Sequence, residues 1–354
     1  MKKYILILMS LCMAVVQLYA RQEPSRIEKK SFSDIEKVQF NHSFGNITVT
    51  ESDSQQVELE IRYFDGEDAK PVCEISSGPV LKIKTVMPEN SGSSGGWNIF
   101  GLKINFSENN ANRSNNKRIG IDYVIAIPRN VEMKVNLSHG HMVMGDFYGD
   151  FTGYVTFGSL NVNTFHKSPV HITSKHSNIK IEKVEVLDIS NDFSHINLNT
   201  VNTLKTQSSH SKHQIDEVGT IEANCSFGRI DIDSAVECYA KLNHTSITIK
   251  NLDKKLNLKC EFAGVNIKDC SKQLESIKFV GRHSGFTIKL DADLSAEFNV
   301  DLRYGKLSVD DKYDVKYSYS EKDFNKIIKK GTIGNKTPTA KIDVSNSFAN
   351  VSIK

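Results

Sequence analysis

Hydrophobic and polar residues alternate with a period of two along most of the 354-residue chain, and the alternation changes phase at one recurring place. Twelve short segments share one order: a polar residue, a ring, a small residue, any residue, then an apolar, a polar and an apolar residue. A period of two is typical of β-strands. The change of phase beside each ring indicates a bend or bulge, so each copy is predicted to be two short strands that meet at a corner.

The ring is an aromatic residue or a histidine in every copy. In chain order the rings are Phe44, His139, Phe157, His176, Phe193, His210, Phe227, His244, Phe262, His283, Tyr304 and Phe348. The next residue is always small: Gly45, Gly140, Gly158, Ser177, Ser194, Ser211, Gly228, Thr245, Ala263, Ser284, Gly305 and Ala349. We expect the small residue to adopt the unusual dihedral angles of the bend. We also expect the rings to form ladders inside the fold together with the isoleucines.

The spacing of the copies predicts the fold. Neighbouring copies between His139 and Tyr304 recur every 17 to 21 residues. A period of roughly 20 residues predicts an all-β fold, a β-solenoid (β-helix-like) of about twelve short two-strand rungs, each contacting only its neighbours. One copy per turn is preferred, with Phe and His alternating along one stack. Two copies per turn, with a Phe stack opposite a His stack, is the alternative.

The chain divides into four predicted segments. They are a signal peptide at 1–20, an N-terminal β region and cap at 21–135 with a flexible loop at 90–117, regular solenoid repeats at 136–310, and a C-terminal cap with the last rung at 311–354. The stretch from Lys312 to Pro338 breaks the period, and Phe324 to Lys330 within it is predicted to form one helical turn.

The first twenty residues are predicted to direct export. Lys2 and Lys3 precede an apolar run, and Ala20 is the small residue expected before a cleavage site. Cys12 offers lipid attachment as an alternative, but the bulky Leu11 precedes it. No later stretch approaches the roughly eighteen apolar residues that span a bilayer. We therefore expect an exported protein, in the periplasm or on the outer cell surface.

Three segments carry a resemblance to a known family. They are NHSFGNITV from Asn41, IDYVIAIPRNVEMKVNLSHGHMVM from Ile121, and GTIGNKTPTAKIDVSNSFANVSIK from Gly331. Through them the chain resembles the bacterial putative-adhesin family of unknown function, which is related to the auto-transporter adhesin head (GIN) domains of exported Bacteroidetes proteins. The resemblance implies an exported β-repeat protein with an adhesin-like role. It brings no catalytic residues, because the family has no agreed ones.

Composition excludes some function classes. Lys and Arg number 45 against 42 Asp and Glu, and removal of Lys2 and Lys3 leaves 43 against 42. Such a chain has no basic footprint for nucleic acid. The five cysteines after residue 20 are an odd number without a CxxC pair, so we expect no disulfide framework. Cys225 and Cys260 continue apolar alternations and are predicted to be small buried residues.

The histidines are the candidate metal ligands. They are His139, His176, His210, His244 and His283 in the ring column, and His213, which interrupts an apolar column. With one copy per turn, successive imidazoles lie two rungs apart, roughly 9–10 Å, which is too far to share a zinc ion. Two copies per turn would bring them close enough for metal binding. We favour a structural ring ladder and expect no metal and no other cofactor.

Carboxylates in an outer column are the candidate catalytic groups. Asp216 and Asp233 occupy successive copies and, with Asp231, would serve a polysaccharide-cleaving β-helix, because two carboxylates about 5 Å apart suit a retaining glycosidase. The alternative is a solvated face on which Asp233 pairs with Lys250. We favour this alternative, since the chain has no motif of nucleophilic or phosphate chemistry. Trp97, the only tryptophan, is a candidate surface-contact residue, as are Asp216 and Asp233.

These observations together predict a non-enzymatic exported β-solenoid. Its expected partner is a glycan or an envelope or surface protein, bound along an extended polar face. A polysaccharide-active β-helix enzyme and a metal-binding scaffold that uses the histidine column are the alternatives. We expect neither a nucleic-acid partner nor a membrane span.

Overall fold

The computed structural model describes residues 22–66, 70–88, 96–99, 102–105 and 118–354, the two short ranges by their backbone alone. These residues form strands, turns and bends, with no helix among them. The predicted all-β class is confirmed. The predicted signal peptide and most of the predicted loop at 90–117 lie outside the described residues. None of the described residues belongs to a helix that could cross a membrane.

All but two of the described strands belong to one continuous sheet; β7 and β8, bounded below, form a separate hairpin. The N-terminal strands are β1 (Arg26–Phe32), β2 (Lys37–Ser43), β3 (Asn46–Glu51), β4 (Val57–Phe64), β5 (Val72–Ser76), β6 (Val80–Val86), β7 (Gly96–Ile99), β8 (Leu102–Asn105), β9 (Gly120–Ile127) and β10 (Glu132–Ser138). The strands of the regular copies are β11 (His141–Phe147), β12 (Phe151–Thr156), β13 (Ser159–Phe165), β14 (Val170–Lys175), β15 (Asn178–Asp192), β16 (His195–Ser209), β17 (Lys212–Ser226), β18 (Arg229–Asn243), β19 (Ser246–Glu261), β20 (Gly264–Ile267), β21 (Ser276–Arg282) and β22 (Gly285–Ile288). The C-terminal strands are β23 (Ala296–Arg303), β24 (Leu307–Val309), β25 (Val315–Lys322), β26 (Lys326–Ile333), β27 (Ala340–Ser347) and β28 (Val351–Ile353).

The regular part is a stack of parallel layers with one copy in each layer. In every copy, the first arm precedes the ring and the second arm follows the small residue. Strands β15 to β18 pair in parallel at a constant offset, which places Asn178 beside His195 and His195 beside Lys212. Because neighbouring copies pair directly, Phe and His alternate along one stack. The alternative with a Phe stack opposite a His stack does not occur.

The N-terminal end contains a further layer whose corner is interrupted. β6 pairs in parallel with β2, the first arm of the first copy, and β9 pairs in parallel with β3, its second arm. Residues 87–119 lie between β6 and β9, where the regular layers have a two-residue corner. Antiparallel strands extend this end further, β5 on β6 and β4 on β9, with β1 on β4. Residues 87–119 do not carry the motif of the twelve copies, so the sequence pattern did not reveal this layer.

The last copy in the chain is not the last layer of the stack. β27 lies between β21 and β23, and β28 lies between β22 and β24, in all cases in parallel. The copy with Phe348 is therefore inserted between those with His283 and Tyr304. Beyond β23, the antiparallel strands β26 and β25 close this end. The helical turn predicted at Phe324 to Lys330 is wrong, because β26 gains backbone hydrogen bonds to β23 that only an extended chain can make.

Columns of apolar side chains fill the interior of the stack. One column on the second arms consists of Ile181, Leu198, Ile215, Ile232 and Ile249, each at most 1% exposed. The parallel pairing places these five residues directly beside one another. Burial of a side chain of this size contributes about 1.5–3 kcal/mol. Each layer therefore stabilises its neighbours through contacts between like residues.

The cysteines are small core residues. Cys225, Cys238, Cys260 and Cys270 are buried, and no disulfide joins any of the five described cysteines. Burial raises the pKa of the Cys225 thiol to about 11 and that of the Cys238 thiol to about 12. A thiol that remains protonated at neutral pH is a poor nucleophile and a poor metal ligand. The prediction of buried structural roles for Cys225 and Cys260 is confirmed.

Two histidines lie in the core. His213 occupies the position that Ile196 and Ile230 hold in the adjacent layers. Its Nε2 lies 3.2 Å from Thr206 Oγ1, and its Nδ1 has no hydrogen-bond partner. The second is His42, which is 3% exposed and lies near the N-terminal end. Burial lowers the pKa of both imidazoles to about 4.

We predict that the protein loses stability as the pH falls from 6.5 to 4. The unfolded chain protonates His42 and His213 near the ordinary pKa of 6.5, but the folded chain does so only near 4. The unfolded state therefore binds more protons in this range and is favoured, by up to roughly 3 kcal/mol for each histidine. Urea denaturation at pH 7 and at pH 4.5 measures the change.

The variant His213→Ile is the matched control, because it restores the isoleucine column. At pH 7 it should be more stable than the wild type by about 1–3 kcal/mol, since an unpaired polar nitrogen leaves the core. Its loss of stability on acidification should be smaller than that of the wild type. Equal losses in the two proteins would contradict the buried, neutral state of His213.

Candidate functional site

The twelve rings form one continuous stack along the outside of the layers. Neighbouring ring centroids are between 4.5 Å (Phe193 to His210) and 5.1 Å (Phe348 to Tyr304) apart. In spatial order the stack is Phe44, His139, Phe157, His176, Phe193, His210, Phe227, His244, Phe262, His283, Phe348 and Tyr304. At a layer spacing of roughly 4.8 Å, the stack is about 50 Å long.

The rings point outward and the small residues point inward. Phe193 and Phe227 are each 49% exposed, whereas Ser194 and Thr245 are each 1% exposed. The expectation of a ring ladder inside the fold is wrong. The phase change leaves the residue before the ring and the ring itself both outside, as at Lys175 and His176, and the small residue that follows is the one that points inside.

The ring residue itself adopts the left-handed backbone conformation. Its φ angle lies between 48° and 60° in all twelve copies, and Gly334 is the only described glycine with a positive φ. The expectation that the small residue adopts the unusual dihedral angles is wrong. The residue is small because space is short: a Cβ atom added to Gly45 would lie 1.8 Å from the carbonyl oxygen of Ile121.

Ring stacking offsets the cost of the corner. The left-handed conformation costs a residue with a Cβ atom roughly 1–2 kcal/mol. A stacked aromatic pair contributes about 0.5–1.5 kcal/mol beyond the burial of its surface, and the stack has about one such pair for each ring. Histidine enters the left-handed region more readily than phenylalanine. The alternation of the two therefore places the less strained residue in about every second layer.

Hydroxyl groups at the corner join one layer to the next. The Ser194 hydroxyl donates to the carbonyl oxygen of Asp192 at 2.8 Å and accepts from the N–H of Ser177, one layer away, at 3.2 Å. Thr245 likewise accepts from the N–H of Gly228 at 3.2 Å. A buried backbone N–H without a partner costs about 1–3 kcal/mol. Serine and threonine in the small column therefore satisfy donors that glycine would leave unpaired.

The side chain before the ring orients some of the imidazoles. His210 Nδ1 lies 2.8 Å from Ser209 Oγ, and His244 Nδ1 lies 2.7 Å from Asn243 Oδ1. Each contact occupies one ring nitrogen and fixes the ring relative to its own strand. The stack is therefore held both by its neighbouring rings and by the chain on which each ring lies.

Phenylalanine separates the imidazoles along the stack. Phe193 lies 5.0 Å from His176 and 4.5 Å from His210 between ring centroids. Successive imidazoles are thus on the order of 10 Å apart, two layers, which is too far to share a zinc ion with bonds of about 2.1 Å. His213 lies apart from them in the core. Among the described residues, no group of three His, Cys, Asp or Glu side chains is arranged to hold a metal ion.

The candidate carboxylates lie on the exposed outer side of the second arms. Asp216 and Asp233 occupy neighbouring layers, because Ile215 and Ile232, which precede them, are paired. The Asp233 carboxylate is 2.6 Å from Lys250 Nζ, and both side chains are about half exposed. Glycosidase carboxylates act in pairs that flank the scissile bond. An exposed carboxylate held by an ammonium group favours the solvated face over a catalytic pair.

Trp97 lies in the β7–β8 hairpin, opposite Ile104. Its side chain is outside the described part of the chain. Its role as a contact residue stays a prediction.

A shallow groove follows the outer side of the first arms. It has a volume of about 890 Å³, and its lining includes Lys205, Gln207, Asn224, Tyr239, Lys241 and Lys259. A smaller groove of about 360 Å³ lies between it and the rings, over Ser190 and Ser209. Sequence reasoning did not single out these residues. The constant spacing between the central copies was the signal that could have placed Lys205 and Tyr239 in one column.

Comparisons with known proteins add little to this geometry. No protein-family model and no curated protein matches the chain. A putative cell adhesion protein of Clostridium sporogenes is 12% identical over 94% of this chain and 99% of that chain, with a TM-score of 0.21. A putative adhesin of Bacteroides fragilis is 10% identical over 94% of this chain and 100% of that chain, with a TM-score of 0.26. TM-scores this low do not establish a shared fold, so no further conclusion rests on them.

We predict that Phe193→Gly is more stable than Phe193→Ala. Both variants lose the stacking with His176 and His210, but glycine adopts the φ of 48° without the steric cost that alanine has there. The expected difference is about 1 kcal/mol in the free energy of unfolding, measured by urea denaturation. The same two substitutions at Gln207, an exposed position within β16, should show the opposite order. If alanine is the more stable residue at both positions, the left-handed corner is not maintained in solution.

Proposed function

We propose that the chain is an exported, non-enzymatic β-solenoid that serves as an adhesin-like binding or scaffold protein of the cell envelope. The observation that carries this proposal is the unbroken row of twelve stacked rings beside a polar groove. Repeat proteins bind partners along extended surfaces of this kind, without an enclosed pocket. The partner is an extended molecule that contacts several layers at once.

The constant pairing offset supports the solenoid. Each of the central layers advances the chain by the same number of residues and returns it to the same position beside the previous layer. Antiparallel strands cover both arms at the N-terminal end of the parallel stack and the first arm at its C-terminal end. Covered arms cannot pair with other chains. Such a rod is stable as a scaffold whose outer columns are free to vary.

The chemistry of the first-arm face favours a glycan as the partner. Hydroxyl and amide groups of Ser190, Gln207 and Asn224 line this face in successive layers, roughly 4.8 Å apart. Such groups hydrogen-bond sugar hydroxyls, and Tyr239 adds an aromatic surface in the wider groove. The rings of the stack cover one another's faces, so they present mainly their edges. We assign them to rigidity and the adjacent groove to recognition.

Mutations in the wider groove test this assignment. We expect the exported chain to bind at least one extended polysaccharide from a broad panel or from isolated envelope fractions, measured by calorimetry. The triple variant Tyr239→Ala, Lys241→Ala, Lys259→Ala should bind at least about tenfold more weakly, because it removes three side chains that line the groove. The matched control Lys180→Ala with Lys183→Ala changes the second-arm side and should bind like the wild type.

Two outcomes would overturn the proposal. The first is a lack of binding to every polysaccharide and every envelope fraction. The second is the release of shortened glycan products, abolished in the variant Asp216→Ala with Asp233→Ala, which would establish an enzyme. Protease treatment of intact, washed cells, with a periplasmic marker protein as control, then decides between the outer surface and the periplasm.

A further inference from the structure

One outer column on the second arms changes sign halfway along the stack. In spatial order it consists of Glu182, Asn199, Asp216, Asp233, Lys250, Lys268, Lys289 and Lys354, hereafter the acid–base column. Each member directly follows a buried residue of the paired apolar column that runs from Ile181 to Ile353. Its members therefore occupy eight successive layers, and Asp310, which follows Val309 beside Ile353, takes the same position in the next layer. The acidic members lie on one side of the midpoint between Asp233 and Lys250, and the basic members lie on the other.

The wider chain shows the same separation of charge. Residues 142–240 contain 7 Lys and Arg against 12 Asp and Glu, whereas residues 241–289 contain 10 against 4. The net charges of these two parts are thus −5 and +6. The nearly neutral total conceals a rod with one acidic half and one basic half.

We infer that the second-arm face is an interface at which two copies of this chain pair antiparallel, related by a two-fold axis through the midpoint of the acid–base column. Such an axis places each column of one copy against the same column of the other, in reverse order. Asp233 then faces Lys250 of the second copy, Asp216 faces Lys268, and Glu182 faces Lys354. Every pair forms twice, as an isologous interface requires.

One facing pair, Asp216 with Lys268, lacks partners within its own chain, whereas Glu182 pairs with Lys180 at 2.6 Å. Asp216 and Lys268 form no ion pair with any other described residue, although both are exposed. At the midpoint, Asp233 and Lys250 already form an ion pair of 2.6 Å. The axis brings the Asp233–Lys250 pairs of the two copies together, so that acidic and basic side chains alternate around it. In the dimer, the second copy thus supplies the partners that Asp216 and Lys268 lack.

The column two residues closer to the ring raises no obstacle to this pairing. It holds Lys180, Asn197, Gln214, Asp231, Thr248, Asn266, Thr287 and Ser352. In reverse order, Asp231 faces Thr248 and Lys180 faces Ser352, so no like charges meet within this column. On the other side of the acid–base column, Glu217 faces Asp269, whose charge Lys289 offsets at 2.9 Å. The ring stack also matches, because Phe227 and His244 flank the midpoint and the alternation places Phe against His throughout.

The face is large enough for a stable dimer. Eight layers at roughly 4.8 Å and six residues at roughly 3.3 Å give a surface of about 40 by 20 Å. This corresponds to about 800 Å² on each copy, the usual size of a specific protein–protein interface. Because exposed ion pairs dominate the contacts, the association should weaken with salt. The first-arm groove remains open on both copies.

Sedimentation equilibrium of the exported chain tests the inference with two reciprocal variants. The basic variant carries Asp216→Lys and Asp233→Lys, and the acidic variant carries Lys250→Asp and Lys268→Asp. We expect the wild type to dimerise at low salt and to bind itself at least about tenfold more weakly at 0.5 M salt. Each variant alone should also lose at least about tenfold in affinity, because like charges then face each other.

An equimolar mixture of the two variants should restore the dimer, since opposite charges face each other again at every altered position. Restoration excludes misfolding as the cause of the loss. A matched control with the charge reversals Asp188→Lys and Glu222→Lys on the first-arm face should dimerise like the wild type. A monomeric wild type at about 100 μM in low salt, or a mixture that stays monomeric, would overturn the inference. A monomer that binds heparin through Lys250 and Lys268 would assign the basic half to a polyanion instead.

Discussion

The structure depends on the corner, where the chain turns between two arms within two residues. A residue with a large side chain is held there at a positive φ between 48° and 60°, a conformation that is unfavourable in isolation. It persists because each ring lies between two others and because the hydroxyl of Ser194, and its equivalents, pair the buried backbone groups. Since all layers share one corner, their columns stay in register over the whole stack. The corner is thus a collective feature that no single copy could maintain.

The sequence predicts the columns well and the corner badly, for a physical reason. Burial imposes a period of two on each arm, so positions such as Ile215 and Cys225 can be recognised from the alternation alone. The change of phase shows only that one of two adjacent residues turns, and glycine is the usual residue with a positive φ. What decides the outcome is the adjacent layer, whose carbonyl groups crowd the inner position, as Ile121 crowds Gly45. A crowding contact between layers cannot be inferred from one strand.

The order of the layers and the location of the groove also cannot be predicted from the local sequence pattern. Because all copies share one motif, the motif does not show which copies are neighbours in the stack. The copy with Phe348 lies beside His283 as well as beside Tyr304. The antiparallel strand β26 decides this order by occupying the other side of β23. The groove is distributed over several layers, from Lys205 to Lys278, and becomes visible only when the pairing register is known. By contrast, the exception at His213 could be identified from the sequence, because one polar residue interrupts an apolar column.

Parallel pairing in register also constrains the charges on the surface. It brings equivalent side chains to about 4.8 Å, where two like charges repel by about 0.9 kcal/mol even in water. A column can avoid this by alternating signs between layers, as Asp233 and Lys250 do, or by recruiting an acid from an adjacent column, as Lys289 does with Asp269 at 2.9 Å. Lys268 does neither among the described residues. A column that separates its acidic from its basic members therefore retains repulsion in the single chain, which an opposed column of reversed order would relieve. The separation of charge is thus better explained by a partner surface than by the stability of the isolated stack.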